Sequence, residues 1–126
     1  MSLEIKPTKG FFKNDESTWE EVAPGLSRQI MGYDNKIMLV KAKFDKGAVG
    51  KMHQHYHSQV TYVESGEFEM TIEGEIRKLE AGDSFYVLPN LMHGCVCTSP
   101  GVLIDVFSPV REDFLGYTML DKDPRD

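Results

Sequence analysis

Cysteine is scarce in this chain: two residues, at 95 and 97, among 126. Two are too few for a disulfide framework. Within one strand, residues two apart sit about 6.6 Å from each other with side chains roughly parallel, which bridges poorly. Cys95 and Cys97 are therefore expected to be reduced, buried and acting as small hydrophobes. Long apolar runs are also missing. None approaches the roughly 18 residues that read as a membrane span, and the opening MSLEIKPTKGFF lacks the apolar segment of a secretory leader. Both absences lead to the expectation of a cytoplasmic protein with no membrane partner. There is no Lys/Arg cluster and the formal charge is −6, which disfavours a nucleic-acid partner. No internal repeat, low-complexity tract or linker divides the chain. The expected organisation is one domain, with an N-terminal arm and first strands over 1–35, a barrel core over 36–110 and a tail over 111–126.

What is present is ordinary globular material, 40% hydrophobic and 27% charged. From Lys36 onward it reads as strand, turn, strand. KIMLVKAKF is apolar and then alternates. QVTYVES ends at Ser65-Gly66. EFEMTIEG places Phe68, Met70 and Ile72 on one face and Glu67, Glu69, Thr71 and Glu73 on the other. EIRKLEAGD, SFYVLP, HGCVCTS and GVLIDVFS follow, each closed by glycine or proline. Short strands separated by such turns every 8 to 12 residues or so predict an all-β antiparallel sandwich or barrel. DESTWEEVAPG is expected to carry one helical turn, capped by Ser17 or Thr18 and stopped by Pro24-Gly25. PVREDFLGYTML is expected to hold another, and DKDPRD to fray.

Three of the four histidines lie in KMHQHYHSQ, at 53, 55 and 57, with the fourth at 93. On a strand His53, His55, His57 and Gln59 share one face. Neighbours two apart lie about 6–7 Å from each other, which suits two imidazoles on one ion with metal–nitrogen bonds near 2.1 Å. The outer pair, about 13 Å apart on the same spacing, does not. One ion therefore takes His55 plus either His53 or His57, and parity leaves that choice open.

The wider spacing resembles the cupin superfamily. Gly47, five residues, His53, one, His55, three, Gln59, six and Gly66 are similar to its first motif, G-x5-H-x-H-x3-4-E-x6-G. Gly82, five residues, LPNLM and His93 are similar to its second, G-x5-P-x-G-x2-H-x3-N. The resemblance implies a double-stranded β-helix, a small jelly roll, holding one divalent transition metal ion: zinc, nickel, manganese or iron. It implies His53, His55, Gln59 and His93 as ligands, and leaves His57 outside the motif as a rim residue able to touch substrate. Gln59 stands where the family usually has glutamate, Leu88 and Asn90 where it has proline and glycine, and Cys97 where it has asparagine. The amide leaves a dication its full charge. That suits Lewis-acid and carbonyl chemistry better than oxygen activation.

GVLIDVFS should line the barrel with Asp105 and Phe107, and Arg111 follows just past Pro109. An interior acid and base are costly unless each has a partner or a task, so a mutual Asp105–Arg111 ion pair is the plainer alternative. Over residues 19–115, HYHSQVTYVESGEFEMTIEGE, GDSFYVLPNLMHG and DVFSPVREDFL resemble the pectin-degradation cupins of the KdgF type. That likeness implies conversion of cyclic 4,5-unsaturated uronate monosaccharides, from pectin or alginate breakdown, to linear keto-uronates. It implies Asp105 and Arg111 as catalytic residues, with Phe107 and Arg111 contacting the sugar acid. The rival expectations are a non-catalytic cupin that binds metal or a sugar acid, an iron cupin dioxygenase, and a storage role. Exposed sheet edges and the apolar Phe11, Phe12 and Trp19 lead to the expectation of a homodimer.

Overall fold

In the computed structural model, which describes residues 4–120 and 122–123, ten strands form two antiparallel sheets. They are β1 (Glu20–Ala23), β2 (Leu26–Tyr33), β3 (Met38–Phe44), β4 (Val49–His53), β5 (Ser58–Val63), β6 (Glu67–Ile72), β7 (Glu75–Glu80), β8 (Ser84–Val87), β9 (His93–Ser99) and β10 (Gly101–Ser108). One sheet runs β1-β2-β3-β10-β5-β8 and the other β4-β9-β6-β7. This is the expected all-β jelly roll. A single 3-10 turn at Glu112–Leu115 follows β10, as PVREDFLGYTML predicted. Among the described residues no helix is long and apolar enough to cross a membrane. The expected fraying of DKDPRD falls largely on residues outside those described.

Alternation decides which way each strand faces. On β3 the side chains of Met38, Val40, Ala42 and Phe44 are buried, while Lys43 between them is exposed. On β5, Thr61 and Val63 turn inward while Val60 and Tyr62 face out. Two apolar clusters fill the interior. Phe44, Val63, Phe68, Cys97 and Leu103 close one end, with Phe44 and Phe68 meeting edge to face at 5.1 Å. Burying such a phenylalanine contributes on the order of 1.5–3 kcal/mol. Met38, Val40, Phe107 and Val110 form the other cluster, beside the site described below. Both cysteines are free; Cys97 is buried as expected of a small hydrophobe, while Cys95 is only partly buried.

One element differs from expectation. Residues 20–23 form an edge strand paired with β2, Glu20 opposite Arg28, and not part of a helical turn. Gly25, at φ +70°, makes the hairpin turn after Pro24. The cap-like signal at Ser17 is overridden from outside: the Nε2 of buried Gln29 donates to the Asn14 and Ser17 carbonyls at 3.0 and 2.9 Å. Those carbonyls serve the sheet and not a helix. Trp19 lies alongside, with the Lys43 ammonium 4.5 Å from its ring.

Candidate metal centre and active site

Strand register brings the histidines together. His53 ends β4 and sits directly opposite His93, which begins β9. The strands approach closely there because Gly94 has no side chain: a Cβ on it would lie 2.7 Å from the Gly50 carbonyl oxygen. The chain leaves strand geometry after His53, so residues 54–57 form a connecting segment that the strand argument did not foresee. That bend carries His55 back toward the pair. The loop before β9 also docks on it, with the Asn90 N–H donating to the His55 carbonyl at 2.7 Å. Asn90 takes a left-handed conformation, φ +67°, at the position where the cupin motif has glycine.

The nitrogens of His53, His55 and His93 that can ligate all lie within 4.8 Å of one another. Each ring donates its Nδ1–H to a backbone carbonyl two residues away: Lys51 at 2.8 Å, His57 at 3.2 Å and Leu91 at 2.9 Å. A carbonyl only accepts, so these bonds fix the tautomer and leave Nε2 of each ring as a lone pair. Nε2 of His93 is buried with no hydrogen-bond partner. Burial holds His55 down to about 3 and His93 to about 4, and lowers His53 as well, so at neutral pH all three are uncharged donors.

Gln59 and Asp105 extend this set. Oε1 of Gln59 lies 3.1 Å from Nε2 of His55. Its own Nε2 donates to Thr61 Oγ1 at 2.9 Å and reaches Asp105 Oδ1 at 3.5 Å, and Thr61 Oγ1 donates to that same carboxylate oxygen at 2.6 Å. The donor chain orients the amide so that two acceptors, Oε1 and the His55 lone pair, face each other. A cation between them removes that conflict, and the residues present therefore fit a metal ion. Burial pushes the Asp105 carboxyl up to about 6, against the opposing pull of Thr61 and the Arg111 charge.

The sequence-expected residues are distributed as follows. His53, Gln59, His93, Asp105, Phe107 and Arg111 all line one cavity of about 280 Å³. Arg111 is buried but does not pair with Asp105. Its Nε and Nη2 donate to Asp113 at 3.0 and 2.8 Å, and its guanidinium lies 5.0 Å from the Phe107 ring and 4.2 Å from Phe114. The mutual ion pair is thus replaced by one with a residue two positions on. His57 departs most. It is wholly buried, stacks on Tyr56 at 3.9 Å and donates Nε2–H to Glu112 Oε1 at 2.7 Å. The expected rim position is corrected, because the bend at 54–57 turns this ring into the interior. Cys95 lines the cavity, but burial raises its thiol to about 11, so it stays protonated.

Thr61, Asp113 and Glu112 were missed from sequence. Thr61 shares the parity of Gln59 on β5 and was open to discovery on that ground. The two acids lie on the short 3-10 turn, which is too brief to give a readable periodicity.

The cupin domain family matches residues 40–107. The chain is 47% identical over 107 residues to pectin degradation protein KdgF of Dickeya dadantii (strain 3937), covering 83% of this chain and 97% of that protein. Among solved structures it is similar to an RmlC-like cupin from Shewanella frigidimarina NCIMB 400. That match has TM-score 0.84 and 48% identity, over 86% of this chain and 97% of the other. It is also similar to KdgF from Halomonas sp., with TM-score 0.81 and 46% identity over 85% and 99%.

Proposed function

The chain belongs to the cupin domain family, in its KdgF branch, and on that footing we propose that it is a metal-dependent enzyme converting cyclic 4,5-unsaturated uronate monosaccharides to linear keto-uronates. The observation that carries this reading is the Gln59–Thr61–Asp105 hydrogen-bond chain, which runs from an acid with a raised pKa to the amide facing His55, with Asp105, Gln59, His53 and His93 lining one cavity. Zinc, nickel, manganese and iron all suit three imidazoles and an amide. A divalent ion held by His53, His55, Gln59 and His93 would supply Lewis acidity toward an oxyanion.

The protein groups account for the proton movements. The substrate is a cyclic hemiacetal whose ring oxygen belongs to an enol ether. Opening removes the proton of the anomeric hydroxyl as the bond from that carbon to the ring oxygen breaks, leaving an aldehyde and an enolate. Ketonisation delivers a proton to the neighbouring alkene carbon, so the overall change is an isomerisation. Asp105 is the group for both transfers. Thr61 holds its Oδ1, Oδ2 remains to carry the proton, and a carboxyl near 6 can both accept and donate at neutral pH. Asp113 occupies the Nε/Nη2 edge of Arg111, so its terminal edge is the one that receives the sugar carboxylate. Phe107, 3% exposed, packs beside the sugar and excludes water.

In the same reading the protein is a cytoplasmic homodimer. Phe11 is 89% exposed, and Val60, Tyr62 and Tyr86 lie together on the outer face of β5 and β8. Light scattering at micromolar concentration should give twice the chain mass; a monomer contradicts the pairing. For the activity, metal-loaded protein is mixed with freshly lyase-generated unsaturated galacturonate, with a chelated control. Loss of the enol-ether absorbance only in the loaded sample is expected. Saturable binding with the absorbance intact would identify a binding module instead, and consumption of oxygen a dioxygenase.

A further inference from the structure

Glu112 is a carboxylate with 1% of its surface exposed, and nothing in the proposed chemistry uses it. Its partner, His57, is 0% exposed, so the bond joining them is sealed from water. Taking an acid and an imidazole out of water is costly, and a well-packed apolar pair of similar volume would serve a fold at least as well. The pair therefore calls for a role beyond filling space.

Connectivity supplies one. The bond spans 55 positions of sequence. On one side lies the segment 54–57, where the carbonyl of His57 accepts the Nδ1–H of His55 and so sets the ring whose Nε2 faces Gln59. His57 also meets the His55 ring edge-on at 5.3 Å. On the other side lies the turn after β10, where Glu112 directly follows Arg111. Asp113 aims the guanidinium of that arginine, but Asp113 sits on the same short turn and cannot locate the turn itself. The His57–Glu112 bond is a side-chain contact that joins these two segments, and the Val110 backbone in the same turn also interacts with the His57 ring.

We propose that Glu112, acting through His57, is a positioning residue: the buried pair holds the His55 ring and Arg111 in fixed relation across the cavity. The inference rests on the metal-binding reading above. Outer partners of ligating histidines typically change metal affinity or activity about 10- to 100-fold when removed.

The test uses cobalt(II) added to the full chain freed of metal, with affinity read by titration and ligand geometry by the visible absorption spectrum. Glu112→Ala is expected to weaken cobalt binding about 10- to 100-fold and to alter the spectrum. Glu112→Gln, whose amide oxygen still accepts from His57, is expected to retain most of both. The double variant His57→Phe with Glu112→Leu keeps the volume apolar. It is expected to unfold at or above the wild-type temperature while showing the same loss as Glu112→Ala. A merely structural pair would lower the unfolding temperature and leave the cobalt spectrum of the folded protein unmoved. Wild-type affinity and spectrum in Glu112→Ala overturn the proposal, and where that variant does not fold, the same result in the double variant does so. Failure of the wild-type protein itself to bind cobalt would overturn the metal reading, and this inference with it.

Discussion

Protonation of individual nitrogens governs the site. The three Nδ1–H bonds to the Lys51, His57 and Leu91 carbonyls decide that Nε2 is the free atom on each ring, and neutral imidazoles at pH 7 follow from burial. His93→Ala should therefore abolish tight metal binding, seen as loss of bound metal after dialysis. Asp105→Asn should act differently, keeping its metal while kcat falls about 10²- to 10⁴-fold, the usual worth of a positioned general acid–base. Wild-type turnover by a metal-loaded Asp105→Asn protein would contradict the proton role. The ligand candidates were legible because their spacing is a matter of counting: His53, His55, Gln59 and His93 stand at fixed intervals from Gly47, Gly66 and Gly82. His57 was misplaced because its orientation depends on a bend that parity cannot see. Asp113 was missed because a two-residue separation at the start of a short 3-10 turn carries no signal.

Elements convert that pattern into a cavity. The turn between β5 and β6 presses on the turn between β9 and β10. A Cβ at Gly66 would sit 2.6 Å from the Gly101 Cα and from the carbonyl oxygens of Ser99 and Pro100, with φ already at +82°. Gly66→Ala should thus destabilise by more than the roughly 1 kcal/mol of a strained conformation alone, measured by urea unfolding. Phe68→Ala, which empties the closed end of the barrel against Phe44, should cost about 3–5 kcal/mol in the same assay. Strands were the readable part of the fold because inward and outward residues alternate on β3 and β5. The edge strand β1 was not. EEVA has no alternation of burial, three of its four residues being exposed, and its pairing with β2 is a long-range fact.

For the whole molecule, the interior is split between two kinds of packing. One end is apolar and closed by Phe44 and Phe68; the other gathers buried polar groups, including His55, His57, His93, Arg111 and Glu112. Buried lone pairs facing one another are a cost to the metal-free state, so metal should stabilise the fold as well as equip the site. At a free concentration one hundred times the dissociation constant, the gain is about 2.7 kcal/mol. For a chain of this size that corresponds to a rise in unfolding temperature of roughly 10 °C, measurable by calorimetry with and without a chelator. No change on chelation would remove the argument from orphaned acceptors.

The most direct measurement is anomalous diffraction from crystals of the protein grown with its metal, recorded on both sides of the metal's absorption edge. The account predicts one strong peak per chain at about 2.0–2.2 Å from Nε2 of His53, His55 and His93, with Gln59 Oε1 turned toward it. A map without a peak there, or rings that offer Nδ1 to the cavity, would contradict it.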